Sequence, residues 1–255
     1  MKTSLRWLVI SSVLVGVLSA CSSTDSTTST AGSSGGDAVK AASYNAQLGV
    51  GYLQSGRLDL AKEYLDKALK YHPQSVDANH YYALLQERLK DDASATRYFA
   101  KAVHLSKTPS PELMNNYGSH LCRVGQYDKA ITAFKTALRD PLYRTPEFAY
   151  TNIGVCLTRK GHPTEAISYF HQALQANEDF GLALYQLAEL NYKSQDYAKA
   201  QAFWFRYRDN APVTPESLML CTQIGRALND TAQVEQCTQT LLTRFPNSAE
   251  AQRLN

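Results

Sequence analysis

Pro111–Asp140 reads PELMNNYGSHLCRVGQYDKAITAFKTALRD, and Glu147–Ala176 reads EFAYTNIGVCLTRKGHPTEAISYFHQALQA. Setting Gly118 on Gly154 brings Asn116 onto Asn152, Gly125 onto Gly161, Ala130 onto Ala166, Phe134 onto Phe170 and Ala137 onto Ala173. Small, turn and aromatic residues that return together at a period in the mid-thirties mark a helix–turn–helix unit, which buries its apolar face only by stacking on copies of itself. Counting from Pro111 or Glu147, glycine at the eighth position is expected to let the first helix (A) lie against alanine at the twentieth, on the second helix (B). The aromatic residue at the twenty-fourth fills the space below. Gly125 and Gly161 fall at the turn, where a positive φ is expected.

Weaker copies extend in both directions, with repeats starting near residues 42, 76, 111, 147, 181 and 215. The second has Lys90 where the turn glycine belongs, and the sixth keeps only Cys221-Thr222, Val234 and Leu241. Pro73, Pro212 and Pro246 close B helices, because proline cannot continue one. These offsets resemble the tetratricopeptide family: a large residue, Leu-Gly, an aromatic, then Ala, an aromatic, Ala and Pro. The resemblance implies an all-α fold over residues 41–255, a right-handed superhelix of six helix–turn–helix repeats with a short C-terminal capping helix.

Ahead of the repeats, Lys2 and Arg6 precede an apolar run from Trp7 to Leu18. That run is too short to span a bilayer comfortably and has the form of a secretory signal over residues 1–20. It closes in Leu18-Ser19-Ala20-Cys21, which resembles the bacterial lipobox. The resemblance implies removal of the signal and lipidation of Cys21, and Ser22 beyond it points to the outer membrane. Thirteen of the sixteen residues from Ser22 to Asp37 are Ser, Thr or Gly, too polar to offset their ordering entropy by burial. Residues 21–40 are therefore expected to be a flexible tether, with a reach of roughly 20–25 Å.

Two of the three net positive charges belong to Lys2 and Arg6, and no basic stripe is interleaved with aromatics, so nucleic acid is not expected as a partner. The six histidines show no H-E-x-x-H and no i,i+4 pair, there is no C-x-x-C, and phosphate-binding glycine loops are missing. No cofactor (beyond the lipid on Cys21), no metal, no small-molecule substrate and no enzymatic activity are expected. Beyond Cys21 remain Cys122, Cys156, Cys221 and Cys237. An even number in an oxidising compartment suits two disulfides; four buried thiols are the alternative. Cys122 with Cys156, and Cys221 with Cys237, are the pairs that stacking brings together.

In the tetratricopeptide family the groove is lined by the second, fifth, ninth, twelfth and thirteenth positions of each A helix. In this sequence those include Asn115, Ser119, Arg123, Thr151, Val155, Arg159, Tyr185, Glu189 and Tyr192, with Phe148, Leu182 and Lys193 beside them. The mixture is amphipathic and suits a peptide or a partner's helix. Asn116 and Asn152 match the family's consensus Asn and read as backbone or inter-repeat hydrogen-bonding groups.

A closer resemblance lies in Asn115-Asn116-Tyr117-Gly118, Leu121-Cys122, Asp140-Pro141-Leu142-Tyr143, Thr145-Pro146 and Asn152-x-Gly154-x-Cys156. This is similar to the type IV pilus biogenesis lipoproteins of the PilF/PilW family. The resemblance implies a lipid-anchored factor on the periplasmic face of the outer membrane that helps the pilus secretin localise and form multimers, as a pilotin does. It also supports a Cys122–Cys156 bridge. An outer-membrane adaptor for cell-wall enzymes, using the same groove, is the alternative.

Overall fold

The computed structural model describes residues 34–254. The signal segment, Cys21 and most of the expected tether lie outside the described residues. The described chain is thirteen helices and no strand, arranged as six hairpins and a cap. The hairpins are α1 (Ser34–Gln54) with α2 (Leu58–Tyr71), α3 (Val76–Arg88) with α4 (Asp92–Leu105), and α5 (Pro111–Arg123) with α6 (Tyr127–Ala137). They continue as α7 (Pro146–Lys160) with α8 (Pro163–Ala176), α9 (Gly181–Lys193) with α10 (Tyr197–Asn210), and α11 (Pro215–Leu228) with α12 (Thr231–Arg244). The cap is α13 (Ala249–Gln252), whose Ala251 is buried. Each A helix packs on its own B helix and, from α3 onward, on the hairpin before it, giving a right-handed superhelix of tetratricopeptide type.

Local chemistry sets the boundaries. Proline occupies the first turn of α5, α7, α8 and α11, where its missing N–H costs nothing. Ser75, Asp91, Ser110, Asp196 and Asp230 accept a backbone N–H at helix starts, and Thr214 with Ser217 forms a reciprocal capping box. α2, α10 and α12 stop two residues before Pro73, Pro212 and Pro246. All six A-to-B turns place their fifteenth residue in the left-handed region. Glycine does so at 56, 125 and 161, while Lys90 (φ 62°), Gln195 (65°) and Asn229 (55°) adopt the same conformation with a side chain present. The turn geometry therefore belongs to the stack, and the substitution at Lys90 does not break the repeat.

One expectation needs correction and one needs detail. The first helix begins at Ser34, so residues 34–40, assigned to the tether from their composition, are helical. Asp37 in the first turn suits the helix dipole, and Ala38 to Ala42 are largely good helix formers, with Ala42 and Ala46 fully buried. The eighth-position glycine lies against the alanine at the twentieth where a Cβ built on Gly49 would meet the Ala61 carbonyl at 3.4 Å, but its nearest neighbour is the side chain at the twenty-fourth. A Cβ built on Gly118 would stand 2.7 Å from Phe134 Cε1, and one on Gly154 would stand 2.5 Å from Phe170 Cε1. The ring at the twenty-fourth position presses against the A-helix backbone at both glycines. Phe134 and Phe170 are completely buried in these contacts.

Candidate protein-binding groove

The A helices present their ninth- and thirteenth-position side chains along one face, but the nine groove candidates do not share one environment. Thr151 is fully buried, and its Oγ1 has no hydrogen-bond partner among the described residues. It is a core residue of α7, not a lining one. On α5, Asn115 and Ser119 are held by the neighbouring repeat: Asn152 Nδ2 donates to Asn115 Oδ1 at 3.0 Å and to Ser119 Oγ at 3.2 Å.

Arg123 is also engaged, donating to Glu87 Oε1 at 2.6 Å and to Asp92 Oδ1 across the seam between the second and third repeats. It belongs to a polar seam that sequence spacing did not reveal. His120, fully buried on α5, stands 2.9 Å from Glu87 Oε1 through Nδ1 and 2.6 Å from Thr96 Oγ1 through Nε2. One repeat-spacing away, Asn116 Nδ2 lies 3.0 Å from His80 Nε2. Burial drives the His80 imidazole down to about 4, opposed only weakly by the Glu87 charge, so it sits neutral near pH 7. These polar groups have partners, which offset the cost of burying them. Among the described residues no group of three His, Cys, Asp or Glu side chains is placed to hold a metal ion.

The accessible part of the lining is farther along. Val155 is half-buried against the central core, and Arg159 is exposed with no ion pair among the described residues. Phe148 and Leu182, at the start of α7 and α9, are each 44% exposed, and Phe148 meets Phe180 edge to face at 4.8 Å between centroids. Tyr185 packs on Tyr207 and Tyr192 on Tyr197, while Glu189 pairs with Lys193 at 2.6 Å. Leu182 and Tyr185 border a recess of about 540 Å³, and Tyr185, Glu189 and Tyr192 border a second of about 250 Å³.

The second recess is closed by Glu216, Met219 and Gln223 of α11 and by Glu250 and Arg253 at the cap. The first three occupy the second, fifth and ninth positions of the sixth repeat, so extending the same offsets one repeat further would have found them. The cap's contribution carried no such signal. Burial, with the nearby Glu189, Glu216 and Glu250 carboxylates, pushes the Tyr185 hydroxyl up to about 12. It stays a neutral donor in an aromatic hollow rimmed by Glu189, Glu216 and Glu250, with Lys193 and Arg253 beside them.

In the structure Cys122 of α5 is bonded to Cys156 of α7 (Cα–Cα 5.7 Å), and Cys221 of α11 to Cys237 of α12 (6.2 Å). The first strap joins adjacent A helices, and the second closes one hairpin.

Comparison with known proteins agrees with this build. The tetratricopeptide repeat family matches at residues 47–110 and again at 157–224. The type IV pilus assembly protein PilF of Pseudomonas aeruginosa is 28% identical over 206 residues, 81% of either chain. A solved structure from the functional characterisation of that PilF superposes with a TM-score of 0.76 at 26% identity, covering 86% of this chain and 98% of the other. PilW, described as a widely conserved type IV pilus biogenesis factor, superposes at 0.77 and 27% identity, covering 84% and 97%. The chain is thus a tetratricopeptide repeat protein of the PilF/PilW-like kind.

Proposed function

We propose that this protein is a lipid-anchored scaffold of the outer membrane's periplasmic face, which grips the type IV pilus secretin and promotes its localisation and assembly into multimers. A pilus-related role in protein interaction follows from relatives matched over most of the chain. The observation that carries the finer reading is the aromatic hollow around Tyr185, bordered by exposed Leu182, with Phe148 exposed at the start of the preceding A helix. An apolar groove with convergent polar groups receives a helix or an extended segment by shape and by a few anchoring side chains. The Leu18–Cys21 lipobox supports the anchor, and the Ser/Thr/Gly-rich stretch supports a short stand-off from the membrane.

The test is genetic and biochemical together. Deleting the gene is expected to remove heat-resistant secretin multimers from outer-membrane fractions, and Leu182→Arg is expected to reproduce the loss with the protein still present and folded. Cys21→Ser is expected to release the protein from the membrane fraction. Normal multimers and normal piliation in the deletion strain would refute the secretin role.

A further inference from the structure

A second interaction surface lies at the far end of the stack, away from the groove. In the first five hairpins the twentieth and twenty-fourth positions of the B helix are sealed: Ala61 and Leu65, Ala95 and Phe99, Ala130 and Phe134, Ala166 and Phe170, and Ala200 and Trp204 expose 2% or less. The following A helix takes part in that seal. Phe99 stacks on Tyr117 of α5 at 5.7 Å, and Trp204 Nε1 donates to the Ser217 carbonyl of α11 at 2.8 Å.

In the sixth hairpin the equivalent residues are Val234 and Thr238, and both are only half-buried. They border an open slot of about 750 Å³ that runs along α12 to Leu242 and reaches Gly225 and Asn229 at the end of α11. The opposite side of α12, carrying Gln236 and Thr240, faces α10, so the slot opens away from the preceding repeat. α13 is a single turn that rests on α11 and α12 and leaves this length uncovered.

We propose that the slot receives an amphipathic helix from a partner protein, seated beyond the single turn of α13 in the line of a seventh A helix. The stacking interface that joins every hairpin to the next continues into it, so the geometry already suits a helix. The first five hairpins carry Leu, Phe or Trp at the twenty-fourth position, whereas the sixth carries Thr238, whose Oγ1 stands 3.5 Å from that of buried Thr222 at the eighth position of α11. Half-buried Val234 and Leu242 are the apolar lining that a side chain of the guest would cover. This surface stands independently of the groove and of the secretin role.

The experiment uses the full chain in the cells that make it, with a photoreactive phenylalanine analogue replacing the exposed rim residue Gln239. Irradiation is expected to give an adduct with another polypeptide. Its cross-linked peptide should carry apolar residues at i, i+3 or i+4, and i+7. Thr238→Phe, which fills the slot from within, is expected to lower the yield about tenfold, the effect of a 1.4 kcal/mol loss in affinity. Thr243→Arg on the exposed lining is expected to do the same should Thr238→Phe fail to fold. The analogue at Gln236 should give no such adduct. Absence of an adduct at 239, an adduct between two copies of this chain, a peptide without the apolar stripe, or a yield indifferent to the folded slot variants would each overturn the proposal.

Discussion

Gly154→Ala is the smallest change that tests the packing of the central hairpin. The added methyl carbon would stand 2.5 Å from Phe170 Cε1 and 2.7 Å from Cζ, where carbon atoms in contact normally sit about 3.5–4.0 Å apart. The ring has to retreat by about 1 Å. It is fully buried, with Ala166 and Ala173 on the same face of α8 also at zero exposure, so no solvent-filled space receives it. Overpacking of this kind costs about 1–3 kcal/mol, while alanine's better helix propensity returns about 1 kcal/mol. The net expectation is a loss of up to about 2 kcal/mol in urea unfolding followed by far-UV circular dichroism.

The matched control is Gly51→Ala in α1, where nothing lies within 4 Å of the new carbon. That variant should gain up to about 1 kcal/mol from propensity alone. Combining Gly154→Ala with Phe170→Leu should recover part of the loss that the single changes would sum to, because the two positions share one contact. If Gly154→Ala stabilised the protein as much as Gly51→Ala, the ring-on-backbone account would be refuted.

Three further predictions concern the turns, the polar seam and the sulfur straps. Lys90→Gly should stabilise by up to about 1 kcal/mol, since a left-handed residue with a side chain costs roughly 1–2 kcal/mol and glycine's freedom in the unfolded chain takes back about half; unchanged or lower stability in the same urea assay would contradict it. His80 is held near 4 when folded, below its ordinary 6.5, so the unfolded chain binds the extra proton between those values. Stability should be full above about pH 6.5 and fall by up to about 3 kcal/mol as pH drops toward 4; His80→Gln should flatten that part of the profile. Intact mass after alkylation without reductant should show Cys122, Cys156, Cys221 and Cys237 unmodified. Replacing Cys122 and Cys156 by Ala should cost about 4 kcal/mol by loop entropy for a 34-residue separation, against about 3 kcal/mol for the 16-residue pair.

What could be read from the letters was whatever recurs. Gly118, Gly154, Phe134 and Phe170 announce the hairpin because their spacing is set by contacts inside one repeat. Lys90 and Gln195 hid their turns because the stack imposes a left-handed backbone even where no glycine advertises it. Residues 34–40 were misjudged for a related reason: Ser and Gly richness describes the segment, but helix propagation from buried Ala42 and Ala46 decides where α1 starts. At the groove, the family offsets placed Tyr185, Glu189 and Tyr192 around one hollow. The same offsets put Thr151 into the core, and they could not foresee that Glu87 and Asp92 occupy Arg123. Those outcomes depend on which side chains face one another across a seam, which a periodic count does not encode.

The Cys122–Cys156 strap ties two neighbouring turns of the superhelix, where the Cys221–Cys237 strap only closes a single turn on itself. Seen mechanically, the stack is a coiled spring with one pair of adjacent coils clamped at mid-length. Pulled along its axis, it carries a covalent cross-link between the third and fourth hairpins that the other seams lack. Stretching is therefore expected to open those other seams before this one.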